Sequence, residues 1–226
     1  SMTMQMHRLV EYLQCLPTTL ISMDKVEADD IISFLAQGFG SKGHRVTIVS
    51  SDKDFLQVVD DNVEVYSPIK KKIYKKRDVA EELGMIPENY LIVKSLLGDN
   101  SDNLTGVKGL GIKTILKEFP GIINDPNFNL ESIFSICEEK LKTKKIFARI
   151  VHEWDKVETN YELMNLLEPR LSDQEILYIL NKIKQPTTSL QVQPFLRMLE
   201  IDKIEALNKN VEGWLEVFRP LSTYQK

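Results

Sequence analysis

The chain predicts an α/β domain followed by a mostly helical region, and three observations carry that reading. Short β-branched runs alternate with helical apolar periods as far as the lysine-rich stretch ending at Arg77. From Asp78 onward the apolar spacing is almost wholly helical. Acidic clusters fall at the ends of the early elements, where open α/β sheets carry their ligands. The expected division is therefore 1–77 and 78–226.

Arg8 to Leu16 has helical apolar spacing and stops at Pro17, and Thr18 to Met23 is a short β-branched and apolar run. Glu27 to Phe39 is helical, with acids in its first turn. Arg45 to Ser50 reads as a buried parallel-type strand and Phe55 to Val59 as a short helix. Val63 to Tyr66 is a strand, with Ile73-Tyr74 paired to it across the lysine-rich turn. Helices then fit Val79 to Leu83, Pro87 to Leu97 (proline at the start) and Ile112 to Phe119. Gly121 to Asn129 reads as a loop. Further helices fit Leu130 to Lys140, Lys144 to Leu167, Ser172 to Lys184, Gln193 to Glu200 and Lys203 to Phe218. Ile176, Ile179, Leu180 and Ile183 form a stripe at i, i+3, i+4, i+7, the pattern of core packing.

At 226 residues, 42% hydrophobic and 27% charged, the chain can bury a proper core. Its longest apolar runs fall far short of the ~20 residues that cross a bilayer, and no signal peptide precedes the first helix. Cys15 and Cys137 lack metal-ligand spacing and read as free thiols in a reducing compartment, hence an intracellular location. His7, His44 and His152 are too scattered for a zinc site or a catalytic triad. Net charge is −4, but setting aside seven clustered carboxylates leaves +3. Lys70, Lys71, Lys72, Lys75, Lys76 and Arg77 form one basic group, and Lys142, Lys144, Lys145 and Arg149 another. In isolation, each reads as a solvated face.

The seven carboxylates are Glu27, Asp29 and Asp30; Asp52 and Asp54; and Asp99 and Asp102. Taken singly, the groups also read as a helix cap, a turn and a polar loop. Taken together, they read as one divalent-cation site, because converging anions repel unless a cation relieves them. An all-oxygen donor set suits Mg²⁺ or Mn²⁺.

Gly106-Val107-Lys108-Gly109-Leu110-Gly111-Ile112-Lys113-Thr114 places a tight glycine turn at a helix start. Glycines let backbone approach a phosphate closely, and Lys108 and Lys113 add point charges. Alone, such a turn is as readily a structural hairpin. Following an acidic cluster, it reads as a DNA-strand anchor. It is not a nucleotide P-loop, whose Gly-x-x-x-x-Gly-Lys-Ser/Thr spacing is absent.

Val26-Glu27-Ala28-Asp29-Asp30, Ser51-Asp52-Lys53-Asp54-Phe55, and Leu97-Gly98-Asp99-Asn100-Ser101-Asp102-Asn103 running into the glycine turn resemble the 5′-nuclease (flap endonuclease) superfamily. That superfamily includes the 5′→3′ exonuclease domain of DNA polymerase I and phage 5′-exonucleases. Residues 7 to 120 carry the resemblance strongly; the helical remainder, with loops such as Gln185-Pro186-Thr187, looks more weakly like the T-even phage ribonuclease H branch. The resemblance implies a PIN-like parallel sheet with flanking helices and a helix-three-turn-helix module. It implies two-metal hydrolysis of phosphodiesters at 5′ ends and flaps. All seven carboxylates match the family's catalytic, metal-holding motifs, and Lys108, Gly109, Gly111, Lys113 and Thr114 match its DNA-binding hairpin, which in some members holds K⁺. Implied partners are flapped, nicked or branched duplex DNA, with an RNA–DNA hybrid as a further substrate, in the cytoplasm of a bacterial or phage-infected cell or the nucleus or an organelle of a eukaryotic one.

The match departs from the family pattern at its start. Members normally begin with a strand carrying an Asp ligand, then an arch with a further Asp. Here only 26 residues precede Glu27, and they resemble the helix and strand that come after the arch, while Ser1-Met2 resembles an expression scar. A missing N-terminal segment or a companion chain is therefore expected, with feeble cleavage by this chain alone. Two other readings stay open: a structure-specific DNA-binding module without chemistry, and a PIN-type ribonuclease, whose fold lacks the glycine hairpin.

Overall fold

The computed structural model describes residues 1–204 and 210–222. In chain order its first elements are α1 (Met2–Gln14), α2 (Ala28–Gly40), β1 (Val46–Val49), β2 (Val63–Ser67), β3 (Lys72–Tyr74), α3 (Lys76–Leu83), α4 (Tyr90–Leu97), β4 (Gly98–Asp99) and β5 (Leu104–Thr105). After these come α5 (Ile112–Glu118), α6 (Leu130–Glu139), α7 (Lys145–His152), α8 (Trp154–Leu163), α9 (Asp173–Lys184), α10 (Val192–Asp202), α11 (Val211–Glu216) and α12 (Arg219–Ser222). They form two compact units: Val26–Arg170, and Ser1–Lys25 together with Leu171–Lys226. The junction between residues 77 and 78 lies inside α3, within the central unit. Among the described residues, no helix is long and apolar enough to cross a membrane.

The central unit holds a three-stranded sheet in the order β1-β2-β3. β1 runs parallel to β2, with Val46 opposite Val63, and β3 returns antiparallel, with Tyr66 opposite Ile73. Alternation along β2 buries Val63, Val65 and Ser67 on one face. There they join Ile48, Phe55, Leu56, Tyr74 and Val79, with Ala36 of α2 on top. A second core joins Leu96 of α4 to Ile115, Phe119, Phe147, Ile150 and Val157. Within it, Phe119 and Phe147 meet edge to face at 6.0 Å, the favoured geometry of an aromatic pair.

Four expectations need correction. β1 is an edge strand that α2 covers on one face only, so Val49 is 67% exposed where a fully buried strand was expected. Among the described residues, Thr18 to Met23 pairs with no strand; the Thr18 amide instead turns back to the Leu16 carbonyl at 2.8 Å. The helix expected from Lys144 to Leu167 breaks at Glu153, whose φ of −101° and ψ of 20° leave the α region, and ends at Leu163. The change of direction lets Phe147 and Ile150 of α7 and Val157 of α8 enter one core. Lys203 ends α10 in a left-handed conformation (φ 52°) rather than opening a helix. The rest of that expected helix crosses residues 205–209, outside the described residues, and α11 covers Val211–Glu216 alone.

In the terminal unit, Cys15 and Leu16 after α1 pack with Phe195 and Leu199 of α10 and Leu215 of α11. Tyr12 meets the Phe195 ring at 5.1 Å, and both Arg8 and Tyr12 bind the Asp202 carboxylate. α9 is opened by a Ser172–Glu175 capping box and buries Ile179 from the expected stripe. Both cysteines are free and buried.

Candidate active site

Each acidic group is delivered by local chemistry. Glu27 sits at the extended N-cap position of α2, and Asp29 and Asp30 lie in its first turn. After β1, the Asp52 amide donates to Ser50 Oγ and the Asp54 amide to Asp52 Oδ1 at 2.9 Å. That Asx-type turn starts the 3₁₀ segment Asp54–Val58, whose Phe55, Leu56, Gln57 and Val58 are buried anchors. Asp99 lies on β4, in a two-residue ladder with β5 that the polar sequence did not suggest. Here backbone crosses backbone: a Cβ on Gly98 (φ 73°) would meet the Gly106 nitrogen at 2.3 Å, and one on Gly106 the Leu97 oxygen at 2.0 Å. Only glycine fits either place.

Six of the seven expected carboxylates then line one cleft of about 380 Å³: Glu27, Asp29, Asp52, Asp54, Asp99 and Asp102. Oxygens of Asp54, Asp99 and Asp102 all lie within 4.8 Å of one another. Asp30 is not part of this lining; its Oδ1 accepts the Arg170 amide at 3.2 Å.

Like charges at this spacing shift their own equilibria. Burial holds the Asp29 carboxyl above the usual carboxylate range, and Asp52, Glu27 and Asp54 push it further. Burial likewise raises Asp54, against the opposing pull of Lys94. Asp99 behaves oppositely. Ser101 donates its hydroxyl and its amide to Asp99 Oδ1, and with Lys94 this lowers the carboxyl to about 2.

Lys94 was missed by sequence reasoning. Its side chain is 8% exposed, and its ammonium bridges Asp54 and Asp99, the latter at 2.9 Å. Burial disfavours that ammonium, but the two carboxylates outweigh burial and leave it above the ordinary lysine value. The available signal was a lone lysine in the apolar run Leu91–Leu97, which can be buried only if it finds an anion. The apolar wall made by Leu163, Met164 and Leu166 was also missed. The donor set is all oxygen and short of positive charge, which suits hard divalent cations.

The glycine turn comes directly after the hairpin. Val107 is its buried anchor, its amide bonded to the Leu96 carbonyl at 2.9 Å, so α4 supports the turn and carries Lys94. Lys108, Gly109, Gly111 and Lys113 are exposed, and Thr114 is half-buried. Arg149 donates to the Lys108 carbonyl and Lys156 to the Gly106 carbonyl, bracing the turn from α7 and α8. The other basic run is neutralised instead. Lys70 and Lys72 pair with Glu82, Lys75 with Glu64, Lys76 with Glu88 and Arg77 with Glu81.

An α/β sheet with an acidic, cation-demanding cleft beside a braced glycine turn defines the class. The family model described as "5'-3' exonuclease, N-terminal resolvase-like domain" matches residues 1–84. A 5'-3' exonuclease of Aquifex aeolicus is 33% identical over 203 residues, which is 86% of this chain and 65% of that protein. One from Buchnera aphidicola subsp. Schizaphis graminum is 38% identical over 145 residues, 63% of this chain and 50% of that protein. A thermostable DNA polymerase I of Thermus thermophilus is 32% identical over 76% of this chain and 21% of its own. The fold is shared with zinc-bound T5 5'-exonuclease (TM-score 0.54, 22% identity, 80% of this chain and 62% of that one). It is also shared with a bacteriophage T5 flap endonuclease in a pseudo-enzyme–product complex with DNA and metal ions (TM-score 0.55, 22% identity, 81% and 62%). In sequence and in fold the chain is similar to members of the 5′-nuclease superfamily. It spans from about half to two thirds of the exonucleases it matches.

Proposed function

We propose that the chain acts as a metal-dependent 5′→3′ exonuclease and flap endonuclease on 5′ ends and branched DNA. The observation that carries this reading is the convergence of Asp54, Asp99 and Asp102 within 4.8 Å, from elements far apart in the chain. Those three would hold one Mg²⁺ or Mn²⁺, and Glu27, Asp29 and Asp52 a second. Bound there, such ions lower the pKa of water and polarise a phosphoryl oxygen. The chain's own residues prepare that chemistry. Ser101 orients Asp99, Lys94 offsets part of the negative charge, and Leu163, Met164 and Leu166 limit water on one wall. The glycine turn, with Lys108 and Lys113, would hold duplex backbone without reading bases. A K⁺ ion at the turn would share the Gly106 and Lys108 carbonyls with the cationic side chains of Lys156 and Arg149, which donate to them.

The test is cleavage of 5′-flap, nicked and single-stranded DNA, and of an RNA–DNA hybrid, in Mg²⁺, Mn²⁺ or chelator. We expect cleavage near the branch that is metal-dependent but feeble in this chain alone, and that Asp99→Asn removes. Tight branched-duplex binding with no cleavage in either metal would favour a non-catalytic binding module. Preference for RNA would favour a PIN-type ribonuclease.

A further inference from the structure

The three carboxylate-bearing elements share one buried support. The backbone from Asn160 to Leu166, the end of α8 and the three residues after it, is tied to each of them by side chains outside the site. Towards the Asp52–Asp54 turn, Gln57 acts as a two-pronged amide. Its Nε2 donates to the Met164 carbonyl at 3.1 Å, and its Oε1 accepts the Leu166 amide at 3.0 Å. Gln57 is only 2% exposed and sits in the 3₁₀ segment that Asp54 opens. Towards α2, Ser33 Oγ and Gln37 Nε2, the latter at 3.0 Å, both donate to the Leu166 carbonyl. Towards the Asp99–Asp102 hairpin, Asn160 Nδ2 donates to the Ser95 carbonyl of α4 at 3.0 Å and the Thr105 carbonyl of β5 at 3.1 Å.

These bonds are specific in a way that apolar packing is not. Each except that of the half-buried Gln37 joins a buried amide or hydroxyl to main chain, so a shift of about 1 Å leaves a polar group unpaired. Met164 and Leu166, the residues being held, also line the cleft. One segment thus sets the spacing between the acids of α2, the Asp52–Asp54 turn and the hairpin.

We infer that Gln57, Ser33 and Asn160 are positioning residues for the carboxylate cleft, acting through the 160–166 backbone to keep its acids at cation-binding separation. This rests on the reading of the cleft as a divalent-cation site. None of these bonds reaches a carboxylate of the site, so the effect of the three residues on cation affinity is indirect.

The experiment is Mn²⁺ binding by electron paramagnetic resonance on four proteins of full length, each with its melting curve: the parent chain, Gln57→Met, Ser33→Ala and Ile133→Ala. Ile133 is fully buried in the second core and serves as a matched destabilisation. Gln57→Met keeps the side-chain length and removes both bonds; we expect Mn²⁺ dissociation to rise about tenfold, the low end for outer-shell partners of a metal site. Ser33→Ala, which leaves Gln37 on the same carbonyl, should move affinity the same way by about two- to threefold. Ile133→Ala should lower the melting temperature and leave Mn²⁺ affinity unchanged. Parent-like affinity in folded Gln57→Met and Ser33→Ala would overturn the inference, as would an equal loss in Ile133→Ala. Should Gln57→Met not fold, Ser33→Ala decides alone. A parent chain that binds no Mn²⁺ would instead remove the divalent-cation reading of the cleft.

Discussion

The acidic cleft and the glycine turn lie within one unit, yet they handle charge in opposite ways. In the cleft, six carboxylates face one buried lysine, so repulsion is left standing and Asp29 and Asp54 are held above their ordinary range. At the turn, Lys108 and Lys113 stay exposed while Arg149 and Lys156 satisfy backbone carbonyls. The lysine-rich strand turn is a third case, nearly every cation already matched to a glutamate. Unrelieved charge, rather than charge as such, marks the surface that awaits something else.

The largest effect should come from the cleft. Asp99→Asn or Asp54→Asn is expected to lower metal-dependent cleavage by at least ~10²-fold, the scale of losing one aimed electrostatic group. Branched-duplex binding should survive, because the turn is untouched; nuclease and gel-shift assays read the two separately. Equal loss of both would break the contrast between the regions.

Lys94→Ala comes next. It strips the one buried cation from Asp54 and Asp99, so the metal-free protein should lose about 3 kcal/mol in denaturant unfolding. Added Mn²⁺ should restore most of that loss. If the loss persists in Mn²⁺, the lysine is a structural strut and not a counter-ion.

The pH dependence sharpens the same point with a smaller effect. Because Asp29 and Asp54 titrate above the usual carboxylate value of 3.8, their ionised forms are disfavoured in the folded state. Their contribution to metal-free stability is present below that value and is lost as pH rises through the raised folded pKa values. Asp99, lowered to about 2, contributes the opposite way and loses its share as pH falls from 3.8 towards 2. Cation binding needs ionised Asp29 and Asp54, so Mn²⁺ affinity should climb across mildly acid pH and then level off. Calorimetry in two buffers of different ionisation heat would register the released protons; affinity independent of pH would contradict the assignment.

The smallest effect belongs to the turn. Lys113→Ala should weaken all duplexes alike and reduce the salt slope of binding by about one. Lys72→Ala, in the matched run, should change neither, and a titration from low to moderate salt distinguishes them.

Much of this was legible in sequence because it is short-range. Acid spacing, Pro87 at a helix start and the 3.6-residue stripe around Ile179 each need only a few neighbouring residues. The acids that meet in the cleft were readable as groups, because each sits at the end of an apolar element. What escaped depends on partners far along the chain. Lys94 matters through Asp54, forty residues away, and Gln57 through Leu166, 109 away. The break at Glu153 was hidden because α7 and α8 share a continuous helical period, and only the shared core bends the chain. Asp30 looked equivalent to Asp29, but the Arg170 amide turns it to a structural use.

That contact between Asp30 and the Arg170 amide also bears on the order of synthesis. It brings the first and last turns of the central unit side by side, so that unit behaves as a loop closed at its own base. On the ribosome it can close once residue 170 has emerged, with the cleft already assembled. The terminal unit must wait longer: Cys15 and Leu16 find their cover only when Phe195, Leu199 and Leu215 appear. The helix just before them, α1, therefore acquires its core only after the central unit can close, and until then its apolar residues stay uncovered.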